Sequence, residues 1–151
     1  MHEHREYFDL YQANELVPKL EFHFAQLARV QREVNELAAQ AVKCGVKLSF
    51  EDVVAMSTGS TLRDAIQRKF AVLAREYTDV VDEIHSLGVV VEDPDLGTVN
   101  FYSWIDGDEV VLSWQYGETA VHHWFKVNED FMARRPLEFI PKSVAPRPAV
   151  H

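Results

Sequence analysis

Two long stripes of apolar residues constrain the fold of this chain more than any other feature. The first stripe repeats every three or four residues and consists of Leu20, Phe24, Leu27, Val30, Val34, Leu37 and Ala41. The second has the same spacing and consists of Leu62, Ile66, Phe70, Leu73, Tyr77, Val80, Ile84 and Leu87. Because this spacing places apolar side chains on one side of an α-helix, it predicts two amphipathic helices. Joined by a short connection, they predict an antiparallel helical hairpin over about residues 10–87, with packing of the coiled-coil kind.

Capping signals mark the ends of the first helix. Asp9 and Gln12 have the spacing of a capping box, which predicts that the helix begins at Leu10. Pro18 removes one helical hydrogen bond, so it predicts either a bend or a new helix start. Gly45 predicts the end of this helix.

The second helix is bounded in the same way. Thr61, followed by Asp64, predicts its start, and Gly88 predicts its end. Residues 46–60 lose the helical period and contain a Ser-Thr-Gly-Ser run. They are therefore predicted to connect the two helices.

Strand patterns follow the second helix. Runs rich in β-branched and aromatic residues lie at 89–91, 99–105, 109–114 and 121–127. The Asp106-Gly107 dipeptide predicts a type I′ hairpin turn, because both central positions of that turn need positive φ. The runs together predict an antiparallel β-meander of three or four strands at about residues 89–127.

The predicted elements make one α+β domain that ends at about residue 137. A chain of 151 residues with 47% apolar content can bury a core of its own. Residues 138–151 contain three prolines and no apolar period, so they are predicted to be a flexible tail.

Composition excludes several classes of function. The formal net charge of -9 repels phosphate backbones and anionic lipids, which disfavours nucleic-acid and membrane partners. Cys44 is the only cysteine, which excludes an internal disulfide and a cysteine-rich zinc site within one chain. The chain has no signal-peptide pattern and no run of about 18 apolar residues. A cytoplasmic location is therefore expected.

Common catalytic motifs are absent from the sequence. It contains no phosphate-binding loop, no dinucleotide-binding glycine motif, no His-Glu-x-x-His and no Gly-x-Ser-x-Gly elbow. No cofactor and no metal are predicted.

Polar residues near the predicted turns form the best candidate site, because the turns of a sheet can bring them together on one rim. These residues are Glu118, His122 or His123, Asp93 or Asp95, and Arg134. A structural role competes with each of them. Glu118 is expected to accept backbone amides or to pair with Arg134. Adjacent strand residues point to opposite faces, so His122 is expected at the surface and His123 in the core.

Aromatic residues are concentrated on the predicted sheet. Trp114 and Trp124 could form a binding platform for a ligand or a partner. Packing of the sheet against the helices explains them equally, and Trp114 shares a face with Leu112, which favours the core.

Several short motifs carry a family resemblance. They are Ala13-Asn14-x-Leu16-x-Pro18, Gly97-x-Val99-x-Phe101, Leu112-x-Trp114-x-x-Gly117-Glu118 and Phe131-x-x-Arg134-x-Pro136-Leu137. In order and spacing, the chain resembles the bacterial family known as domain of unknown function 2203 over about residues 8–137. That family has no assigned activity, substrate or cofactor, so the resemblance implies none.

The chain also departs from the pattern of that family. The departures are Asn100, Ser113, Phe125, Asn128 and Asp130. Four of them replace residues that can titrate or bind a metal. The resemblance therefore implies that this chain lacks part of any catalytic or metal site that the family has there.

The long stripes and the missing motifs favour a non-catalytic protein-interaction module. Its partner would be another protein or a second copy of the chain. The alternative is a small-molecule or metal-dependent enzyme or ligand binder, with a site at the rim of the sheet.

Overall fold

The structure is a computed structural model that describes residues 5–45 and 61–137. Its helices are α1 (Leu10–Lys43) and α2 (Thr61–His85). Its strands are β1 (Val90–Asp93), β2 (Thr98–Ile105), β3 (Asp108–Gln115), β4 (His123–Lys126) and β5 (Arg135–Pro136), with a short 3-10 helix at Phe131–Ala133. The predicted α+β fold, with helices followed by an antiparallel sheet, is confirmed. The predicted connection at 46–60 and tail at 138–151 lie outside the described residues.

Helix α1 begins where the capping box predicts. The Asp9 carboxylate accepts the Gln12 N–H at 2.7 Å, and the Gln12 side chain accepts the Asp9 N–H at 2.9 Å. The new helix start considered at Pro18 is wrong, because α1 continues through it. Val17 and Leu20, on either side of the proline, are buried and hold both segments of the helix in one core.

Contacts within the chain form two compact units. One unit, the hairpin unit, lies within Ala25–Asp82. The stripes of its two helices meet in a cluster of Val30, Leu37, Ala41, Ile66 and Leu73, with Val34, Phe70 and Tyr77 packed against it. Arg29 of α1 pairs with Glu33 of its own helix and with Glu76 of α2. The middle parts of the two predicted stripes are therefore packed inside this unit, whereas Leu62, predicted to begin the second stripe, is 57% exposed.

The other unit, the sheet unit, contains the described residues up to Phe24 and from Glu83 onward. Its strands pair antiparallel in the order β1-β2-β3-β4-β5, so each is hydrogen-bonded to its neighbour in the chain. The meander has five strands instead of the three or four predicted. The additional strand β5 has only two residues, one of them Pro136, and such a segment carries no strand pattern. The Asp106-Gly107 turn has φ of 52° and 84°, as its sequence predicts.

One face of the sheet packs against the start of α1. Directly paired residues on this face, Val99 with Trp114 and Phe101 with Leu112, are completely buried. The ring of Phe24 lies 6.0 Å from that of Trp114. This core fixes β3 and the turn that follows it.

The N-terminal segment lies along the edge of β2, where Tyr7 forms a bridge with Tyr102 and the Phe8 N–H donates to the Tyr102 carbonyl at 2.8 Å. The Glu109 carboxylate accepts hydrogen bonds from Arg5 and from the Tyr7 hydroxyl, both at 2.7 Å. Burial raises the pKa of Glu109, but these two hydrogen bonds and the charge of Arg5 outweigh it, so the pKa lies below its usual value. The carboxylate therefore stays ionised and holds the segment in place.

Neither of the two described helices has the length and apolar character that crossing a membrane requires.

Candidate functional site

The predicted rim cluster forms around Glu118, in the turn after β3. One Glu118 carboxylate oxygen accepts the backbone N–H of Gln115 and the guanidinium of Arg134, both at 2.7 Å. Arg134 also donates to the Ser113 carbonyl at 3.3 Å and lies over the Phe131 ring at 4.5 Å. The two charged side chains thus satisfy each other, which is the structural role that the sequence favoured for Glu118.

His123 is the histidine that faces this cluster. Its Nδ1 lies 3.5 Å from the second Glu118 carboxylate oxygen. Burial lowers the pKa of His123, and the charge of Arg134 lowers it further. The imidazole is therefore neutral at neutral pH. His122 is exposed, and its carbonyl accepts the Leu137 N–H at 2.7 Å.

A row of polar side chains extends from His123 across the sheet. Asn100 is paired with Ser113, and Ser113 with His123, on adjacent strands. Within the described structure, Asn100 Oδ1, Ser113 Oγ and His123 Nδ1 are buried without a hydrogen-bond partner. Sequence reasoning named Asn100 and Ser113 only as departures from a family pattern, because pairing across strands is not visible in the sequence. Ser113 is completely buried, whereas Asn100 and His123 at the two ends of the row are partly exposed.

The two candidate tryptophans have different surroundings. Trp114 is completely buried and donates its indole N–H to the Glu118 carbonyl at 3.0 Å, so it belongs to the core. Trp124 is half-buried, and the guanidinium of Arg135 stacks on it at 4.7 Å. Asp93 is occupied in its own turn, where its carboxylate accepts the backbone N–H of Asp95 at 2.9 Å.

Trp124 also lines a groove of about 510 Å³ beside the β2–β3 turn. The groove is lined by Ile105, Asp106, Asp108, Glu109, Val110, Trp124, Lys126, Val127 and Asn128. Ile105 and Val110 are buried, and Asp106 and Asp108 are exposed. The groove therefore combines apolar walls with carboxylates at its edge.

The start of α1 presents a second stripe on its outer side. We call this the outer stripe of α1; it consists of Tyr11, Glu15, Pro18 and Phe22, all exposed. Tyr11 is 74% exposed and Phe22 63%. The spacing of four, three and four residues places all of them on one side of the helix. Sequence reasoning missed this surface because it followed the inward stripe only, although the same spacing was there to read.

No group of three or more histidine, cysteine, aspartate or glutamate side chains suited to a metal ion occurs within residues 5–45 and 61–137.

Comparison with known proteins gives one match. The model of a family described as "Uncharacterized conserved protein (DUF2203)" matches residues 6–137. No curated protein and no solved structure matches the chain. The family match covers most of the chain and confirms the resemblance drawn from the motifs.

Proposed function

We propose, from the premise that this chain belongs to the DUF2203 family of uncharacterised conserved proteins, that it is a non-catalytic protein-interaction module. The observation that supports this is the outer stripe of α1, where two aromatic side chains are exposed. Aromatic residues are the commonest anchors of protein interfaces. The polar residues of the rim, by contrast, bind one another.

The outer stripe lies on a well-supported part of the helix. On the inner side of the same segment, Ala13, Val17, Leu20 and Phe24 are all buried. Residue Asn14 accepts the backbone N–H of Val121 at 2.7 Å, which ties the helix to the loop before β4. A helix held in this way is already ordered before a partner binds, so binding to its outer side costs little further conformational entropy. Anchors at positions i, i+7 and i+11 are typical of helix-mediated recognition.

Site-specific photo-crosslinking tests the proposal. A photoreactive phenylalanine analogue is placed at Phe22 and, as the control, at Met132, which is 87% exposed in the same unit. In producing cells we expect position 22 to form a crosslink to one discrete protein, identified by mass spectrometry, and position 132 to form none. The proposal fails if position 22 gives no discrete product, or the same products as position 132.

Small-molecule binding in the groove beside Trp124 is the second candidate. The groove volume lies within the range of about 300–1,000 Å³ that is usual for ligand sites. A fragment library is screened by NMR, with the indole signals of the tryptophans as reporters. Binding in the groove should shift the Trp124 signal and leave that of the buried Trp114 unchanged. Fragments that shift neither signal would count against this candidate.

A further inference from the structure

We propose that the partner of the outer stripe is a second copy of the same chain, with the two α1 helices packed antiparallel about a two-fold axis between residues 16 and 17. This inference rests on the proposed function and names its partner.

Aromatic residues are placed symmetrically about that axis. In an antiparallel pair of helices, residues whose numbers add up to a constant lie opposite each other. For a sum of 33, Tyr11 of one copy lies opposite Phe22 of the other. The two-fold axis repeats this contact, so both exposed aromatic residues of both copies are covered. The surface is therefore complementary to itself.

Glu15 of the outer stripe and the exposed Lys19 beside the stripe support the same arrangement. The residue numbers of Glu15 and Lys19 add up to 34, one more than the sum of 33 that defines the axis. Glu15 of each copy can therefore pair with Lys19 of the other copy, which gives two ion pairs across the interface. Within the described part of the chain, neither side chain forms an ion pair of its own. A parallel arrangement would instead bring Glu15 beside Glu15 and Lys19 beside Lys19, which like-charge repulsion disfavours. The charges thus select the antiparallel dimer.

The expected dimer is weak. One helix from each copy over about three turns forms an interface at the low end of the usual size range. Each copy also carries a net charge of -9, which opposes association. We therefore expect a dissociation constant on the order of 10–100 μM.

Charge exchange at Glu15 and Lys19 gives the sharpest test. The dissociation constant is measured by sedimentation equilibrium over a protein concentration range of roughly 5–500 μM, chosen to bracket the expected value. Glu15→Lys and Lys19→Glu should each weaken the dimer about fivefold or more, because like charges then meet twice. The double exchange keeps the net charge and should restore the wild-type value. Phe22→Ser should abolish the dimer, and the control Met132→Ser should not change it.

The outcomes separate this inference from the interaction proposal. A monomer at every concentration, or a dimer that ignores the charge exchange, would overturn the antiparallel pairing. If the purified protein is monomeric and position 22 still crosslinks to a different protein, only the partner is wrong. If the purified protein is monomeric and position 22 crosslinks to nothing, both proposals are wrong. Circular dichroism of each variant verifies that it remains folded.

Discussion

At the residue scale, Glu118 links three parts of the sheet unit through a single side chain. Its carboxylate binds the backbone of β3 and the guanidinium of Arg134, and its own carbonyl holds the Trp114 indole. The chain after β4 is thereby joined to the turn after β3. A residue with these contacts stabilises the fold, so its position after Gly117 is explained without a reaction.

Removal of Arg134 should therefore be costly. Its side chain is 13% exposed and that of Glu118 is 24% exposed, so Arg134→Met leaves a largely buried carboxylate without its cation. We expect a loss of about 2 kcal/mol in the free energy of unfolding, measured with urea. Arg135→Met is the matched control, because its pair with Glu129 is more exposed and its loss should lower the free energy of unfolding clearly less. Equal losses would contradict the assigned role.

His123 should make stability depend on pH. Burial and the charge of Arg134 lower its pKa in the folded protein, while the unfolded chain has the ordinary value of about 6.5. The unfolded state therefore takes up the proton first as the pH falls. The stability that the neutral imidazole provides is complete above about pH 6.5 and is lost below it.

Unfolding free energies at about pH 7.5 and about pH 5.5 measure this effect. His123→Gln should lose less stability between these two values than the wild type does. His122→Gln should keep most of the wild-type loss, because the charge of His122 is a smaller cause of the lowered pKa of His123 than burial and Arg134 are. Identical pH dependence in both variants would refute the assignment to His123.

At the scale of elements, the turns of the meander need glycine for two different reasons. Gly97 and Gly107 both have positive φ, at 73° and 84°. An added Cβ at Gly97 would lie 2.5 Å from the Tyr116 Cβ, whereas one at Gly107 would meet nothing within 4 Å. At Gly97 a side chain is disfavoured both by the steric clash and by the backbone conformation. At Gly107 it is disfavoured by the backbone conformation alone.

Alanine at each turn separates these two costs. Gly107→Ala should lower the free energy of unfolding by about 1 kcal/mol, the cost of left-handed backbone for a residue with a Cβ. Gly97→Ala should cost about 2 kcal/mol more, because Tyr116 must also move. Chemical denaturation of both variants gives the difference. A difference near zero would show that the Gly97 turn relaxes freely.

Substitutions at buried and at exposed positions of the helical hairpin test different properties of the protein. Leu27 and Leu73 are 3% and 4% exposed, so substitutions there report on folding and cannot probe a surface. Leu73→Ala should cost about 3 kcal/mol through loss of burial and the cavity it leaves. Val72→Ala, at a 66% exposed neighbour, should stay within about 0.5 kcal/mol. Comparable losses at the two positions would show that the stripes are not packed as described.

At the scale of the whole molecule, net charge sets the class of partner. With a formal charge of -9, the protein should pass through a heparin column at about 0.1 M salt near neutral pH. An anion-exchange column under the same conditions should retain it, which shows that the protein is intact and charged. Retention on heparin would reveal a local basic surface and revive nucleic-acid binding.

The sequence by itself determined the two helices and the four longer strands, because these elements follow from local periodicity. The capping box at Asp9, the end of α1 before Gly45 and the Asp-Gly turn could all be predicted, since each depends on residues close together in the chain. The Glu118–Arg134 pair was also foreseen, because a carboxylate in a turn usually accepts backbone amides or pairs with an arginine.

Only the tertiary structure decided which side chains meet. The choice of His123 over His122, the separate surroundings of Trp114 and Trp124, and the pairing of Ser113 with Asn100 depend on strand register. Strand β5 forms because its backbone pairs with the edge of β4. The exposure of Tyr11 and Phe22 depends on which side of α1 the sheet covers. Each of these results from contacts between residues far apart in the chain, whose free energy no local pattern encodes.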